Sequence, residues 1–302
     1  MKKIILYSLT SFLLLCSSCH NDSQKTTPSL KDQLIALTDT VPGAVGIAFV
    51  SEEDTITINN GIHYPMMSVF KLHQSLAVAN ELNNKGVDFD SIITIHEKEL
   101  DRNTWSPMLK KYGEKDFDIS IGELVEYALT SSDNNASNLL FRYIVSPKET
   151  ENFVKSIAKD TTFNISYSEA EMKQDHNLSY KNYTSPLSAS LLIRQLFTSD
   201  MLTLATRNSI KTALSTVTTG QDRLGAAISD TEGIIFAHKT GSGYRNAAGE
   251  LIAHNDVGYF RLPDGRDYSL AVFIRDFNGS EKEASAIIAG ISRCVYDYVV
   301  GK

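Results

Sequence analysis

The chain has 302 residues, of which 42% are hydrophobic and 22% charged, the usage of an ordinary folded protein, so wholesale disorder, collagen and coiled coil are excluded. Its 29 Lys and Arg against 36 Asp and Glu give a formal net charge of −7, and no basic cluster is present to neutralise a nucleic-acid backbone. The length suits one large domain or two intimate lobes, with a core sizeable enough to need no disulfide staples.

Lys2 and Lys3 precede an apolar run over residues 4–16, followed by Ser17, Ser18 and Cys19. A basic start, a short greasy middle and small residues at the cut predict an export signal over residues 1–18. The run is shorter than the roughly 18 to 20 residues that span a bilayer. Small residues directly before Cys19 further predict a periplasmic lipoprotein with the lipid on the Cys19 thiol, simple secretion being the alternative. Polar residues 19–28 then form a tether. Cys294, in an amphipathic C-terminal segment, is expected to be an inert buried thiol.

In the body, residues 43–50 and 55–59 are β-branched and apolar runs separated by Ser51-Glu52-Glu53-Asp54, which predicts a hairpin. From Ser68 to Ser209 the period becomes helical, with Val69, Leu72, Leu76 and Ala79 on one stripe. Ser120 with Glu123 predicts a capping box ahead of residues 124–129. Ser146-Pro147 and Ser185-Pro186 each set a capping residue before a helix-opening proline. Strands return over residues 234–239, 251–262 and 268–277, with turns at 246–249 and at Pro263-Asp264-Gly265. A last helix carries Ala284, Ile287, Ile288, Ile291, Val295 and Tyr298 on one face. This order predicts an α+β fold: an antiparallel five-stranded sheet packed with terminal helices, plus an inserted all-α lobe. Residues 29–62 and about 215–302 form the sheet lobe, about 63–214 the helical lobe, and a ligand cleft is expected between them.

Three short stretches could carry chemistry. Ser68-Val69-Phe70-Lys71 opens the first long helix, where free amides and the helix dipole favour an oxyanion and Lys71, one turn on, can approach the Ser68 hydroxyl as its base. Ser132-Asp133-Asn134 lies in the polar break between two helical patterns. Lys239-Thr240-Gly241-Ser242-Gly243 closes an apolar strand, offering a cation and a hydroxyl to a carboxylate beside a glycine that lets a ligand lie against the backbone. Taken singly, each also fits a bland role: a capping serine with a solvated lysine, a helix cap, a strand end with turn glycines. The histidines His63, His73, His96, His176, His238 and His254 show no clustered ligand spacing, so neither metal nor other cofactor is expected.

Together, Ser-x-x-Lys at a helix start, Ser-Asp-Asn between helices and Lys-Thr-Gly on a late strand are the signature of penicillin-recognising serine enzymes, and the sequence resembles a class A serine β-lactamase over nearly all of its length past residue 18. The resemblance implies hydrolysis of β-lactam antibiotics by a monomer. Ser68 would be the nucleophile, with Lys71 or Glu169, through water, as acylation base. Ser132 would pass a proton to the leaving nitrogen, Asn134 would bind the drug's side-chain amide, and Lys239, Thr240 and Arg223 would grip its carboxylate. Gly241 and Ser242 would line the binding strand, and Trp105 of Trp105-Ser106-Pro107 would place a ring at the cleft mouth.

The acid that activates the deacylating water falls in Ser168-Glu169-Ala170-Glu171-Met172-Lys173, with Glu169 as first choice and Glu171 as competitor. Ala170 and Lys173 replace the family's usual Pro and Asn, which puts the customary cis peptide after the Glu and the customary Asn contact to water in doubt. These departures resemble the cephalosporinase and extended-spectrum branch. The alternatives are a D,D-peptidase or transpeptidase of the same fold, a β-lactam sensor that stays acylated, and an esterase using Ser68 and Lys71.

Overall fold

The computed structural model describes residues 28–302 apart from 114 and 230. The export signal, Cys19 and all of the tether but Pro28 lie outside the described residues. Val45, Ile47 and Phe49 alternate with Gly46, Ala48 and Val50 along β1 (Ala44–Ser51), and all six are buried, the mark of a strand covered on both faces. β2 (Thr55–Ile58), β3 (Ile235–Ser242), β4 (His254–Arg261) and β5 (Asp267–Arg275) join it in the order β2-β1-β5-β4-β3, every neighbour antiparallel. β3 is therefore an edge strand whose outer side is open to the helical lobe.

The pleat sorts the apolar side chains into two cores. Leu270, Val272 and Ile274 point to one face, where Leu34 of helix α1 (Leu30–Thr38) and Ile288, Ile291 and Val295 of the C-terminal helix Glu281–Val300 cover them. Ala271 and Phe273 point to the other, into a core with Phe70, Leu76, Leu124, Leu139 and Ile193 of the inserted helices. Each of the larger side chains among these contributes roughly 1.5–3 kcal/mol. The α+β class and its five-stranded antiparallel sheet are as the sequence predicts.

Helix α2 (Phe70–Lys85) runs through the centre of the helical lobe and stops at Gly86, whose φ of 64° is the left-handed C-terminal cap. The predicted stripe understates it: Lys71, His73, Gln74 and Ser75 are buried too, and Gln74 is satisfied by reciprocal bonds with Ser137. Caps at Ser146 and Ser185 form as expected, the first as a full box with Glu149. At Ser120 only half the box forms: the hydroxyl accepts from Glu123 N, but the Glu123 carboxylate turns to Lys111. The helical lobe also holds a short ribbon of Ile92–Ile95 against Phe117–Ser120, and two-residue strands Tyr64–Pro65, Phe163–Asn164 and Tyr183–Thr184. β4 begins at His254 rather than Leu251, which instead bridges Arg245 and Phe277. Cys294 is half-buried, not buried; that partial burial raises its pKa, and its Sγ lies 3.7 Å from Gln33 Oε1.

Candidate active site

Ser68 sits in a 3₁₀ turn, Met67–Val69, that runs directly into α2. It is not the helix-capping serine its position suggests, since no side-chain cap bond forms there. Met67 has a φ of 45°, rare for a residue with a side chain, and the turn presents Ser68 partly exposed at the cleft while Met67 and Val69 on either side are buried. Lys71, one turn on, is fully buried, and its Nζ reaches Ser132 O at 2.8 Å, Asn134 Oδ1 at 2.6 Å and Glu169 Oε1 at 3.0 Å. The same Glu169 oxygen accepts from Ser68 Oγ at 3.2 Å. One carboxylate oxygen thus joins the hydroxyl and the ammonium.

The loop between helices Ile121–Thr130 and Asn134–Tyr143 is clamped by Asp133, fully buried, whose carboxylate caps the second helix through Ala136 N and also accepts from Ser106 Oγ and Met108 N. These bonds bring the Trp105 segment to the site. Asn134 N donates to Trp105 O at 2.9 Å, and the indole Nε1 to Ser131 O at 2.8 Å. Trp105 is 60% exposed and lines the cleft. Ser132 itself has a φ of 58° and points its hydroxyl at Lys239 Nζ, 3.0 Å away.

Lys239 through Ser242 lie within β3, which continues past the predicted strand end. Lys239 is fully buried, and burial, reinforced by the positive charge of Lys71, holds its pKa well below the usual lysine value. Thr240 Oγ1 pairs with Thr219 Oγ1 at 2.6 Å. A Cβ on Gly241 would stand 2.4 Å from Met66 O and 3.2 Å from Val69 Cγ2, so the missing side chain lets the strand close on the Ser68 turn. Arg223, almost buried, donates to Asn255 O at 2.7 Å and to Ser242 Oγ at 2.6 Å, and burial lowers its pKa.

Glu169–Gln174 form a short helix. Ser168 and Glu171 make its capping box, so the Glu171 carboxylate faces Ser168 at an exposed helix end and stays away from Ser68. That box was legible in the sequence and is what separates the two acids. All peptide bonds among the described residues are trans, that after Glu169 included. Lys173 bonds Asp101 Oδ2 and Asn103 O across the cleft, while Asn138 Oδ1 accepts from Ala170 N at 3.1 Å.

Ser68, Ser132, Asn134, Glu169, Thr240, Ser242 and Trp105 line one cavity of about 790 Å³, and Lys71, Lys239 and Arg223 are buried behind that lining, bonded to Glu169, Ser132 and Ser242. Sequence reasoning missed Thr219, Asn138 and Asn255. No local motif marks them, because each acts on a backbone or a hydroxyl brought in from a distant segment.

The chain matches the family model described as the β-lactamase enzyme family over residues 29–299. It is 42% identical to a β-lactamase of Phocaeicola vulgatus, over 99% of this chain and 96% of that protein. Its identity to the extended-spectrum β-lactamase PER-1 of Pseudomonas aeruginosa is 30%, over 97% and 94%. The crystal structure of a representative class A β-lactamase from Bacteroides cellulosilyticus superposes with a TM-score of 0.84 at 31% identity, covering 90% of this chain and 98% of that one.

Proposed function

The chain belongs to the class A β-lactamases and hydrolyses β-lactams, and from that premise we propose the division of labour among its residues. Ser68 Oγ attacks the lactam carbonyl carbon, giving its proton to Glu169, either directly or through water, or to Lys71. The tetrahedral oxyanion sits between the backbone amides of Ser68 and Ser242. As the ring C–N bond breaks, Ser132 hands a proton to the nitrogen, replenished through the Lys71 and Lys239 ammonium groups that flank it. Asn134 holds the acyl side-chain amide. Lys239, Thr240 and Arg223, the last through Ser242 Oγ, bind the carboxylate. Glu169 then takes a proton from water, whose oxygen attacks the ester carbon, and returns that proton to Ser68 Oγ as the ester C–O bond breaks.

The observation that carries this reading is the shared Glu169 Oε1, within hydrogen-bond reach of both Ser68 Oγ and Lys71 Nζ. An acid so placed is what separates a hydrolase from an enzyme that keeps its acyl group. Mixing enzyme with excess nitrocefin tests it: many equivalents should be hydrolysed per Ser68, with no release of D-Ala from a cell-wall peptide. A burst of one equivalent followed by arrest would overturn it.

Cephalosporins are the preferred substrates in this reading, supported by the likeness to the extended-spectrum relative. Residues 29–302 would work as a monomeric catalytic unit, its lobes meeting near residues 62 and 215. Residues 1–18 would direct export to the periplasm, with Cys19 carrying the lipid.

A further inference from the structure

Asn255 lies on β4, fully buried, one strand in from the edge that carries Lys239 to Ser242. In the strand register it stands opposite Gly241. Its side-chain Nδ2 donates to Pro65 O at 2.8 Å and to Met66 O at 3.3 Å, the two carbonyls that lead into the Ser68 turn. Its backbone carbonyl accepts from Arg223 Nη1 at 2.7 Å. One residue therefore grips the approach to the nucleophile with its side chain and the carboxylate-binding arginine with its main chain.

The amide is committed to its donor side: Asn255 Oδ1 is buried with no partner among the described residues. A buried orphan acceptor is costly, so an apolar residue would suit a sheet interior better unless the Nδ2 bonds serve a purpose. That purpose follows from the neighbouring backbone. Met66 O also accepts from Val69 N at 3.1 Å, and Met67, between the held carbonyl and Ser68, adopts the left-handed φ of 45°. A turn in that conformation persists only when its surroundings over-determine it. Gly241, with no Cβ, brings the strand close enough for Asn255 to reach.

We propose that Asn255 is a positioning residue for the acylation step: its side-chain amide fixes the 65–66 carbonyls, so that the Ser68 hydroxyl and amide are held in register with β3. The inference rests on the assignment of Ser68 as nucleophile. It bears first on acylation, where the Ser68 hydroxyl and amide must both be placed; deacylation draws on the amide through the same oxyanion site but not on the hydroxyl as nucleophile, and among the described residues Asn255 makes no hydrogen bond to Glu169.

The test compares Asn255→Ala, Asn255→Thr, which keeps a hydroxyl donor on a strand-favouring residue, and Val295→Ala, which thins the core beneath the C-terminal helix. Single-turnover acylation and deacylation by a cephalosporin are measured per titratable Ser68, alongside Tm. Acylation should fall about tenfold or more in Asn255→Ala and less in Asn255→Thr, with deacylation falling by a smaller factor than acylation in each. Val295→Ala should lower Tm with both steps unchanged. Wild-type acylation rates in the Asn255 variants, or an equal loss in Val295→Ala, would overturn the proposal. Should Asn255→Ala fail to fold, Asn255→Thr decides between the same outcomes. Absence of acyl-enzyme on Ser68 in the wild type would instead overturn the underlying assignment.

Discussion

The carboxylate of Glu169 accepts a hydrogen bond directly from the Ser68 hydroxyl, 3.2 Å away across 101 positions of chain. The contact sets the acid against the atom to which an acyl group would be attached, the location required for delivering water to an ester carbon. Glu169→Ala should therefore lower turnover by about 10²–10⁴-fold, with drug accumulating on Ser68 as the acyl-enzyme adduct seen by mass spectrometry. Glu171→Ala should leave turnover within twofold and cost about 0.5–1 kcal/mol through the lost half of the capping box. The reverse pattern would exchange the roles of the two acids.

Lys239 should give the proposed carboxylate site an alkaline limit. Its folded-state pKa is depressed by burial and by Lys71, so it loses its charge at a pH where a lysine in water remains protonated. KM for carboxylate-bearing substrates should rise on the alkaline side, starting below the usual lysine range, while Lys239→Arg should shift that rise to higher pH. Stability has the opposite slope. Between the folded and unfolded pKa values the unfolded chain holds more protons, so the penalty of burying this ammonium is relieved as pH rises. A pH profile of KM that stays flat up to the ordinary lysine pKa would refute the assignment.

His73, wholly buried in α2 and packed edge-on against Phe163, has its pKa lowered to about 4 by burial. The unfolded chain takes up a proton near pH 6.5 and the folded chain does not, so stability is full above that pH and declines as pH falls toward about 4, by up to about 3 kcal/mol. His254, lowered by burial to about 3, adds to the same decline. Thermal melts of the wild type and His73→Leu between about pH 4.5 and 7.5 should show a shallower acid slope in the variant. Identical slopes would mean that His73 is not the group responsible.

Gly241→Ala would thrust a methyl to within 2.4 Å of Met66 O. Backbone cannot yield as a flexible side chain would, so β3 must separate from the Ser68 turn. We expect a loss of about 1–3 kcal/mol in stability and a fall of at least tenfold in acylation, since strand and turn carry the two amides proposed for the oxyanion. Unfolding midpoints and single-turnover rates measure the two effects separately.

Much of the fold was readable from periodicity. The hairpin of β1 and β2, the three late strands and the last helix stand out because long segments repeat their apolar pattern. The two-residue strands Tyr64–Pro65, Phe163–Asn164 and Tyr183–Thr184 did not, because nothing so short displays a period. Ser68, Lys71, Ser132 and Lys239 were legible as motifs, although Ser68 sits in a 3₁₀ turn before the helix and Lys239 inside a strand that runs on to Ser242. What the sequence hid was the reason for particular residues: Gly241 makes room for a carbonyl, Asp133 fastens the Trp105 segment, and Asn255 grips a turn 190 positions away. Such purposes depend on which distant backbone arrives opposite, and local patterns carry no record of that.

Met67 and Ser132, at φ values of 45° and 58°, hold two hydroxyl-bearing segments in conformations that side chains disfavour. Such geometry typically costs about 1–3 kcal/mol per residue. Heat-tolerance selection applied without an activity readout would therefore relax these two peptides first. The survivors would be sturdier proteins and slower at destroying drugs.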